Sequence, residues 1–98
     1  MTRKLVIRAE ADADIEAAFQ WYEEQNRGLG TEFLRAVEAS LSSIERTPEL
    51  YPLFYRRARR ILLRRFPYAV YYVVTPSVLD VVACMHTRRN PRRWRWRL

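Results

Sequence analysis

The fold of this chain is decided by residues 60–85, which read RILLRRFPYAVYYVVTPSVLDVVACM. Residues that favour strands, mainly β-branched and aromatic ones, dominate this run. It is interrupted twice by turn-forming tripeptides, Phe66-Pro67-Tyr68 and Thr75-Pro76-Ser77. The sequence therefore predicts three strands, and their short connections predict an antiparallel meander; the strands cover residues 60–64, 69–74 and 79–85.

Upstream of this run, the apolar residues recur at helical spacing. The first stripe consists of Ile15, Ala18, Phe19 and Tyr22, and the second of Phe33, Leu34, Val37, Leu41 and Ile44. Asp12 or Asp14 suits the start of the first helix, and Gly28 can adopt a left-handed cap at its end. The second helix is predicted to begin near Gly30-Thr31 and to end at Thr47-Pro48. The short link between the stripes predicts an antiparallel helical hairpin.

Leu5-Val6-Ile7 predicts one more strand, before the hairpin. The expected architecture is thus α+β, in the order β-α-α-β-β-β, with the hairpin packed on one face of a small, mainly antiparallel sheet. With 98 residues, the chain is expected to form a single domain, residues 1–98. No element is left to cover the other face of the sheet, so we expect that face to be open and to display the arginines that come late in the chain.

Charge is distributed unevenly along the chain. Residues 1–55 carry six basic residues and ten acids, whereas residues 56–98 carry twelve arginines and one acid, so the net charges are −4 and +11. Arginine pairs bidentately with carboxylate and phosphate and does not titrate in the physiological range. This concentration of charge predicts an acidic partner.

Other features limit the classes of function. No apolar run approaches the ~18 residues that a membrane span requires, and acids begin at Glu10, so we expect a cytoplasmic protein without membrane contact. The single cysteine, Cys84, is expected to be a buried apolar side chain. With one cysteine and one histidine, no metal site and no cofactor are expected.

His86 and three aromatic residues are candidates for function. His86 could act as a general acid or base, or could be a strand-end residue bonded to the backbone. Tyr71 and Tyr72 should lie on opposite faces of one strand, with one in the core and the other free to stack on a partner. Trp21 falls off the apolar stripe of the first helix, and exposed tryptophans often mark interfaces.

The C-terminal residues Arg92-Arg93-Trp94-Arg95-Trp96-Arg97 alternate charge with aromatic surface. This tail could grip phosphates as an extended arm or edge strand, or its tryptophans could fold back on the domain. The interaction reading is favoured, because two tryptophans are costly to leave in water.

Taken together in order, several segments resemble the RelE/ParE toxin superfamily of bacterial type II toxin–antitoxin modules, and the ParE-like members most. These segments are Trp21-Tyr22-Glu23-Glu24-Gln25, Gly28-Leu29-Gly30 with Phe33, Ile44 with Pro48-Glu49 and Tyr51-Pro52, the run from Arg65 to Tyr72, and His86-Thr87-Arg88-Arg89-Asn90-Pro91 with Trp94. The resemblance implies a small basic toxin that is neutralised by a cognate antitoxin, whose C-terminal segment binds it as a helix and an extended arm.

The resemblance leaves two targets. ParE-like members inhibit DNA gyrase without being enzymes in the usual sense, whereas RelE-like members cut mRNA on the ribosome. RelE-like nucleases usually have an arginine at the start of their third strand, where this chain has Tyr68, and this chain has no lysine in the preceding strand. A gyrase inhibitor is therefore the favoured function, with no enzymatic activity. The alternative is a ribosome-dependent endoribonuclease using Arg65, His86, Arg88 and Arg89, and a weaker third reading is a stand-alone nucleic-acid binder.

The expected partners are thus an antitoxin with an acidic C-terminal segment and, beyond it, gyrase or else the ribosome and its mRNA. A toxin–antitoxin hetero-oligomer is expected. The residues expected to contact antitoxin or target are Trp21, Arg64, Arg65, Tyr68, Tyr72, Arg88, Arg89, Arg92, Arg93, Trp94 and Trp96.

Overall fold

The computed structural model describes residues 3–98 and contains two helices and a five-stranded sheet. The helices are α1 (Ala9–Gln25) and α2 (Leu29–Arg46). The strands are β1 (Lys4–Ile7), β2 (Leu53–Tyr55), β3 (Ala58–Leu62), β4 (Tyr68–Val74) and β5 (Val78–His86). Two 3-10 turns, Pro91–Arg93 and Arg95–Arg97, follow. The α+β prediction is confirmed.

The spatial order of the strands is β1-β5-β4-β3-β2. β1 runs parallel to β5, and every other neighbouring pair is antiparallel. The predicted meander is therefore confirmed, and the long connection that a parallel pair needs runs from β1 through the helical hairpin and β2–β4 to β5.

The turn between the helices is held by a side chain of α1. Gly28 adopts a left-handed conformation with φ of 90°, as the sequence predicts. The carboxylate of Glu23 accepts hydrogen bonds from the backbone N–H groups of Gly28 and Gly30, at 3.0 Å each. A Cβ at Gly30 would lie 2.8 Å from Phe19, so glycine allows the two helices to approach closely. The hairpin geometry thus depends on Glu23 and two glycines.

Two element boundaries differ from the sequence prediction, and one strand was not predicted. α1 begins at Ala9, before Asp12 and Asp14, because the N–H of Asp12 already bonds to the carbonyl oxygen of Arg8. The strand predicted over residues 60–64 lies at 58–62, since Arg65, with φ of 69°, belongs to the turn before β4. β2 was not predicted: it has only three residues and pairs with β3 through a shifted register.

Both faces of the sheet are covered. On one face, Phe33, Val37 and Ile44 of α2 and Ile15 of α1 pack on the sheet. On the other face, Trp94 is fully buried and stacks on Tyr71 with a centroid distance of 4.4 Å. The expectation of an open second face is therefore wrong at its centre, because the C-terminal turns cover it.

The pairing of β4 with β5 contains one β-bulge, where Tyr71 pairs with Ala83 and Tyr72 pairs with Val81. Val82 is the extra residue of this bulge, and both Val82 and Ala83 pack with Trp94. Tyr71 and Tyr72 lie on opposite faces, as predicted, but each belongs to a core.

No helix in the part of the chain that the structure describes is long and apolar enough to cross a membrane.

Candidate functional site

The C-terminal tail is fixed to α1 by a buried ion pair. A guanidinium nitrogen of Arg97 lies 2.7 Å from a carboxylate oxygen of Asp14, and both side chains are at least 87% buried. The same carboxylate oxygen accepts the N–H of Cys84 at 3.1 Å, and Arg97 donates to the carbonyl oxygen of Val82 at 3.2 Å. Since β1 ends opposite Val81, this pair satisfies the part of the β5 edge that has no neighbouring strand.

A second ion pair holds the carbonyl end of the tail. Arg8 makes a bidentate contact with Asp80, with distances of 2.7 and 3.0 Å, and also donates to the backbone oxygen of Arg97. The pKa of Arg8 is raised, mainly by its hydrogen bond to Asp80. The tail is therefore an ordered part of the domain and not the extended arm or edge strand that the alternating pattern suggested.

Two open grooves lie on either side of an aromatic cluster formed by Tyr22, Phe33, Phe66 and Tyr68. The first, groove A, lies between α2 and β3 and encloses about 460 Å³. Its lining is Glu32, Arg35, Ala36, Ala39, Ser40, Ser43, Tyr51, Ile61, Leu62, Arg64, Arg65 and Phe66. Arg65 lies 3.3 Å from Glu32 across its mouth, whereas Arg35 and Arg64 form no ion pair within residues 3–98.

Groove A is bordered by an unpaired strand edge. On this side of β3, the last backbone hydrogen bond joins the N–H of Arg60 to the carbonyl oxygen of Pro52, just before β2. The N–H of Leu63 points to β4, where it bonds to Tyr68, so the N–H of Leu62 points the opposite way. No strand among residues 3–98 pairs with this part of β3, and the side chain of Leu62 is 56% exposed.

Groove B lies between α1 and the ends of β4 and β5 and encloses about 680 Å³. Its lining is Asp14, Ala17, Ala18, Trp21, Tyr22, Pro67, Tyr68, Cys84, Met85, His86, Arg89 and Arg93. Asp14 is the single acid in this lining, and its charge is already paired with Arg97. The groove thus combines aromatic walls with an excess of positive charge.

Burial shifts four titratable groups in and near these grooves, and it raises the pKa of Tyr22 in the lining of groove B. It raises the pKa of the Tyr68 phenol, which lies 5.5 Å from the ring of His86. It raises the pKa of Tyr72 to about 12, and the hydroxyl of Tyr72 donates to the carbonyl oxygen of Pro48 at 2.7 Å. It raises the pKa of the Cys84 thiol to about 12, with a smaller contribution from the charge of Asp14. Cys84 is 1% exposed, so its predicted role as a buried apolar side chain is confirmed.

His86 has a structural hydrogen bond. Its Nδ1 accepts the N–H of Arg88 at 3.1 Å, and its carbonyl oxygen accepts the N–H of Arg89 at 2.9 Å. These bonds close the turn after β5, which is the backbone-bonded role that the sequence left open. Tyr68 and Arg89 are the polar side chains that line groove B beside it.

The structure gathers four of the predicted contact residues in groove B and separates the others. Trp21, Tyr68, Arg89 and Arg93 line groove B together with the catalytic candidate His86, and Arg64 and Arg65 line groove A. Arg88, Arg92 and Trp96 are exposed but line neither groove. Trp21 is 56% exposed and lines the same groove as the C-terminal Arg93, and its exposure is in line with the sequence prediction.

Two of the predicted contact residues require correction. Tyr72 and Trp94 are both fully buried, so neither can touch a partner in this conformation. Tyr72 is anchored to the loop after α2 by its hydroxyl, and Trp94 is anchored by its stack on Tyr71. Their aromatic surface stabilises the fold, because water is excluded from both rings.

The four residues suggested for a ribonuclease do not form one site. Arg65 lines groove A, His86 and Arg89 line groove B, and Arg88 points into neither. The turn that carries Arg65 connects β3 to β4, and the arginine forms an ion pair with Glu32 of α2. This arrangement divides the four residues between two grooves and the surface outside them.

Sequence reasoning missed the apolar part of the groove A region. Leu62, which lines groove A, is a large apolar side chain that is 56% exposed, whereas the exposed Leu53 and Phe54, at 59% and 42%, lie outside this lining. The interruption of the strand pattern by Arg56-Arg57 and the alternation of Ile61 and Leu62 were the available signals. Leu62 could be recognised as exposed only once the structure showed that no strand among residues 3–98 pairs with its part of the β3 edge.

Known proteins resemble this chain over most of its length. A family model described as the ParE toxin of the type II toxin–antitoxin system parDE matches residues 5–91. Toxin ParE2 of Mycobacterium tuberculosis, from strains CDC 1551 / Oshkosh and ATCC 25618 / H37Rv, is 28% identical over 92 residues, which are 93% of this chain and 88% of that one.

The fold also has a counterpart among solved structures. A structure described as the chromosomal ParDE TA system from P. aeruginosa matches with a TM-score of 0.67 at 16% identity, over 87% of this chain and 96% of that chain. This likeness supports the same arrangement of helices and strands. Because the family match spans nearly the whole sequence, the chain belongs to the ParE toxins of type II toxin–antitoxin systems.

Proposed function

We infer that this toxin inhibits DNA gyrase by binding, without cleaving a substrate. Membership of the ParE toxins supports this target, which the sequence resemblance also implies. The observation that carries the non-enzymatic part is the division of the suggested nuclease set between two grooves, with Arg65 on one side of the aromatic cluster and His86 on the other. Since gyrase works in the cytoplasm, the toxin acts there.

Supercoiling of relaxed plasmid by purified gyrase tests this function. We expect the toxin to reduce supercoiling and to increase the amount of linear DNA trapped when the reaction is stopped with detergent. Unchanged supercoiling together with no trapped DNA at micromolar toxin would refute gyrase as the target.

The ribonuclease alternative has its own measurement. Primer extension on translated mRNA after induction of the toxin should show no new ends at codon boundaries. New codon-linked ends, lost in the His86→Ala variant and kept in an Arg64→Gln variant, would instead support the ribosome as target.

We also infer that the antitoxin neutralises the toxin by placing an acidic C-terminal segment along groove A, in a toxin–antitoxin hetero-oligomer. An extended segment can add to the unpaired edge of β3 beyond Arg60, since main-chain bonding to a free strand edge is a common mode of peptide recognition. Apolar side chains of the segment can cover Leu62, and its acids can meet Arg35 and Arg64.

Binding of the toxin to the C-terminal half of the antitoxin encoded beside it tests this surface. Leu62→Asp places a carboxylate against an acidic segment and should weaken binding at least tenfold, because like charges at an interface are strongly unfavourable. Leu50→Asp is the matched control, since Leu50 is 71% exposed and lines neither groove. Equal affinity of the two variants, or an antitoxin segment with no excess of acids, would exclude groove A as the docking site.

A further inference from the structure

Groove B presents aromatic surface that the proposed antitoxin contact does not use. Trp21 is 56% exposed, although burying a side chain of this size is worth several kcal/mol, on the order of 2–3. Its ring is held at 85° to the ring of Tyr22, with a centroid distance of 5.1 Å. Tyr22 in turn stacks on the buried Phe33 at 5.3 Å. Trp21 is therefore supported by the core while its other face meets solvent.

Groove B carries positive charge that no acid among residues 3–98 pairs with. Arg89 and Arg93 are exposed, and within residues 3–98 neither forms an ion pair. Asp14 is paired with Arg97 and does not offset them. Arg93 is further held in place because its carbonyl oxygen accepts the indole N–H of Trp96 at 3.1 Å. Two arginines thus line the groove together with an exposed indole.

We propose that groove B binds single-stranded DNA, with a base stacked on Trp21 and neighbouring phosphates held by Arg89 and Arg93. A flat aromatic platform beside backbone-tracking positive charge is the general arrangement of single-strand binding sites. An acidic peptide would use the two arginines but would leave the exposed indole unexplained. The choice of DNA over RNA rests on the proposed function, because gyrase works on DNA.

Intrinsic tryptophan fluorescence of the full chain, titrated with an oligothymidylate of about 12 nucleotides, tests the stacking contact. The emission should be quenched on binding. Trp21→Phe should lose most of the quenching, because it removes the indole that is quenched, and Trp21→Ala should weaken binding about tenfold, as expected for one lost stacking contact. Trp96→Phe is the matched control, because Trp96 is 67% exposed but lies outside the lining of groove B. Quenching that survives in Trp21→Phe and disappears in Trp96→Phe would overturn the assignment.

The salt dependence of the same titration tests the phosphate contacts. Each phosphate contact on a single strand contributes about −0.7 to the slope of log K against log salt. The Arg89→Gln, Arg93→Gln double variant should therefore reduce the slope by about 1.4. The Arg64→Gln, Arg65→Gln double variant removes the same charge from groove A and should leave the slope near that of the wild type. Equal slopes in the two double variants would contradict the proposed site.

Competing ligands distinguish DNA from other acidic partners. Polyglutamate of equal charge should displace the oligothymidylate at least tenfold less well, and oligouridylate should bind no tighter than DNA. Displacement by polyglutamate at equal concentration would indicate an acidic protein partner, and tighter binding of RNA would reject the DNA assignment. Circular dichroism confirms that all the variants fold, and binding of the antitoxin segment to groove A confirms it a second time for the groove B variants.

The binding titration contains no gyrase, so the two proposals can fail separately. Loss of supercoiling inhibition with intact, Trp21-dependent DNA binding would reject the proposed function alone. Absence of DNA binding by a wild-type toxin that still inhibits gyrase would reject groove B as a DNA site alone.

Discussion

At the scale of single residues, Asp14 shows how much a side chain's role depends on tertiary contacts. From the sequence it is a candidate for the start of the first helix, where a carboxylate favours the helix dipole. In the structure it lies within α1 and bonds to Arg97 and to the N–H of Cys84. Its partners are 83 and 70 residues away in the chain, so no local pattern could have identified them.

Loss of the Asp14 carboxylate should destabilise the fold. Asp14→Asn leaves the guanidinium of Arg97 buried without its counter-charge, which costs about 3 kcal/mol or more when a buried pair loses one partner. Asp12→Asn is the control on the same helix, because Asp12 is exposed, and it should cost less than about 1 kcal/mol. Urea unfolding measures both values; equal stability of the two variants would show that the Asp14–Arg97 pair does not hold the tail.

Two buried groups, Cys84 and Tyr72, should make the free energy of unfolding depend on pH in the alkaline range. Burial raises the pKa of Cys84 from 9.0 to about 12 and that of Tyr72 from 10.0 to about 12. The unfolded chain therefore loses these protons at lower pH than the folded chain does. The contribution of these groups to the free energy of unfolding should be constant below pH 9 and should decrease as the pH rises from 9 toward 12.

Urea unfolding from neutral pH to about pH 11 checks this dependence. Cys84→Ala removes the group that titrates first, so the free energy of unfolding of that variant should fall less steeply just above pH 9. An equally steep decline in wild type and variant would show that the thiol is not protected by burial.

At the scale of elements, strongly periodic segments could be predicted and short ones could not. The two helices and the strands around residues 69–74 and 79–85 follow from apolar spacing and proline-containing turns. β2 could not be predicted, because three residues show no usable period. The C-terminal turns were missed because alternating arginine and tryptophan is also the pattern of an exposed strand, and only the stack on Tyr71 decides between them.

The prediction of the candidate site was limited in the same way, because contacts between distant segments decide which residues come together. The sequence identified Trp21, Tyr68, Arg89 and Arg93 as contact residues, and groove B brings all four together. It could not separate Arg65 from His86, because the turn before β4 places them on different sides of the aromatic cluster. Residue type thus indicated the chemistry, and the strand connections determined which residues share a site.

The two tail tryptophans should differ sharply in their effect on stability. Trp94→Ala empties a fully buried position over Tyr71, and such truncations cost roughly 3–5 kcal/mol. Trp96→Ala changes a side chain that is 67% exposed and should cost less than about 1 kcal/mol. Thermal unfolding of the two variants compares them. Similar melting temperatures would show that the tail does not pack on the sheet.

At the scale of the whole molecule, the charge division along the sequence becomes a division in space. Nine of the eleven acids lie in α1 or α2, whereas the arginines of residues 56–98 lie on the sheet, its turns and the tail. The basic part does not form one open sheet face, because Trp94 covers its centre. Instead, it borders two grooves, which allows an antitoxin and a cellular target to be assigned to different surfaces.

The most direct test of this assignment is gyrase supercoiling measured with toxin alone and with toxin bound to its antitoxin. We predict that wild-type toxin inhibits supercoiling and that the antitoxin restores it. We also predict that the Leu62→Asp variant, whose groove A no longer accepts the acidic segment, still inhibits gyrase but escapes the antitoxin. Full supercoiling in the presence of excess wild-type toxin would contradict the account, and so would complete rescue of Leu62→Asp by the antitoxin.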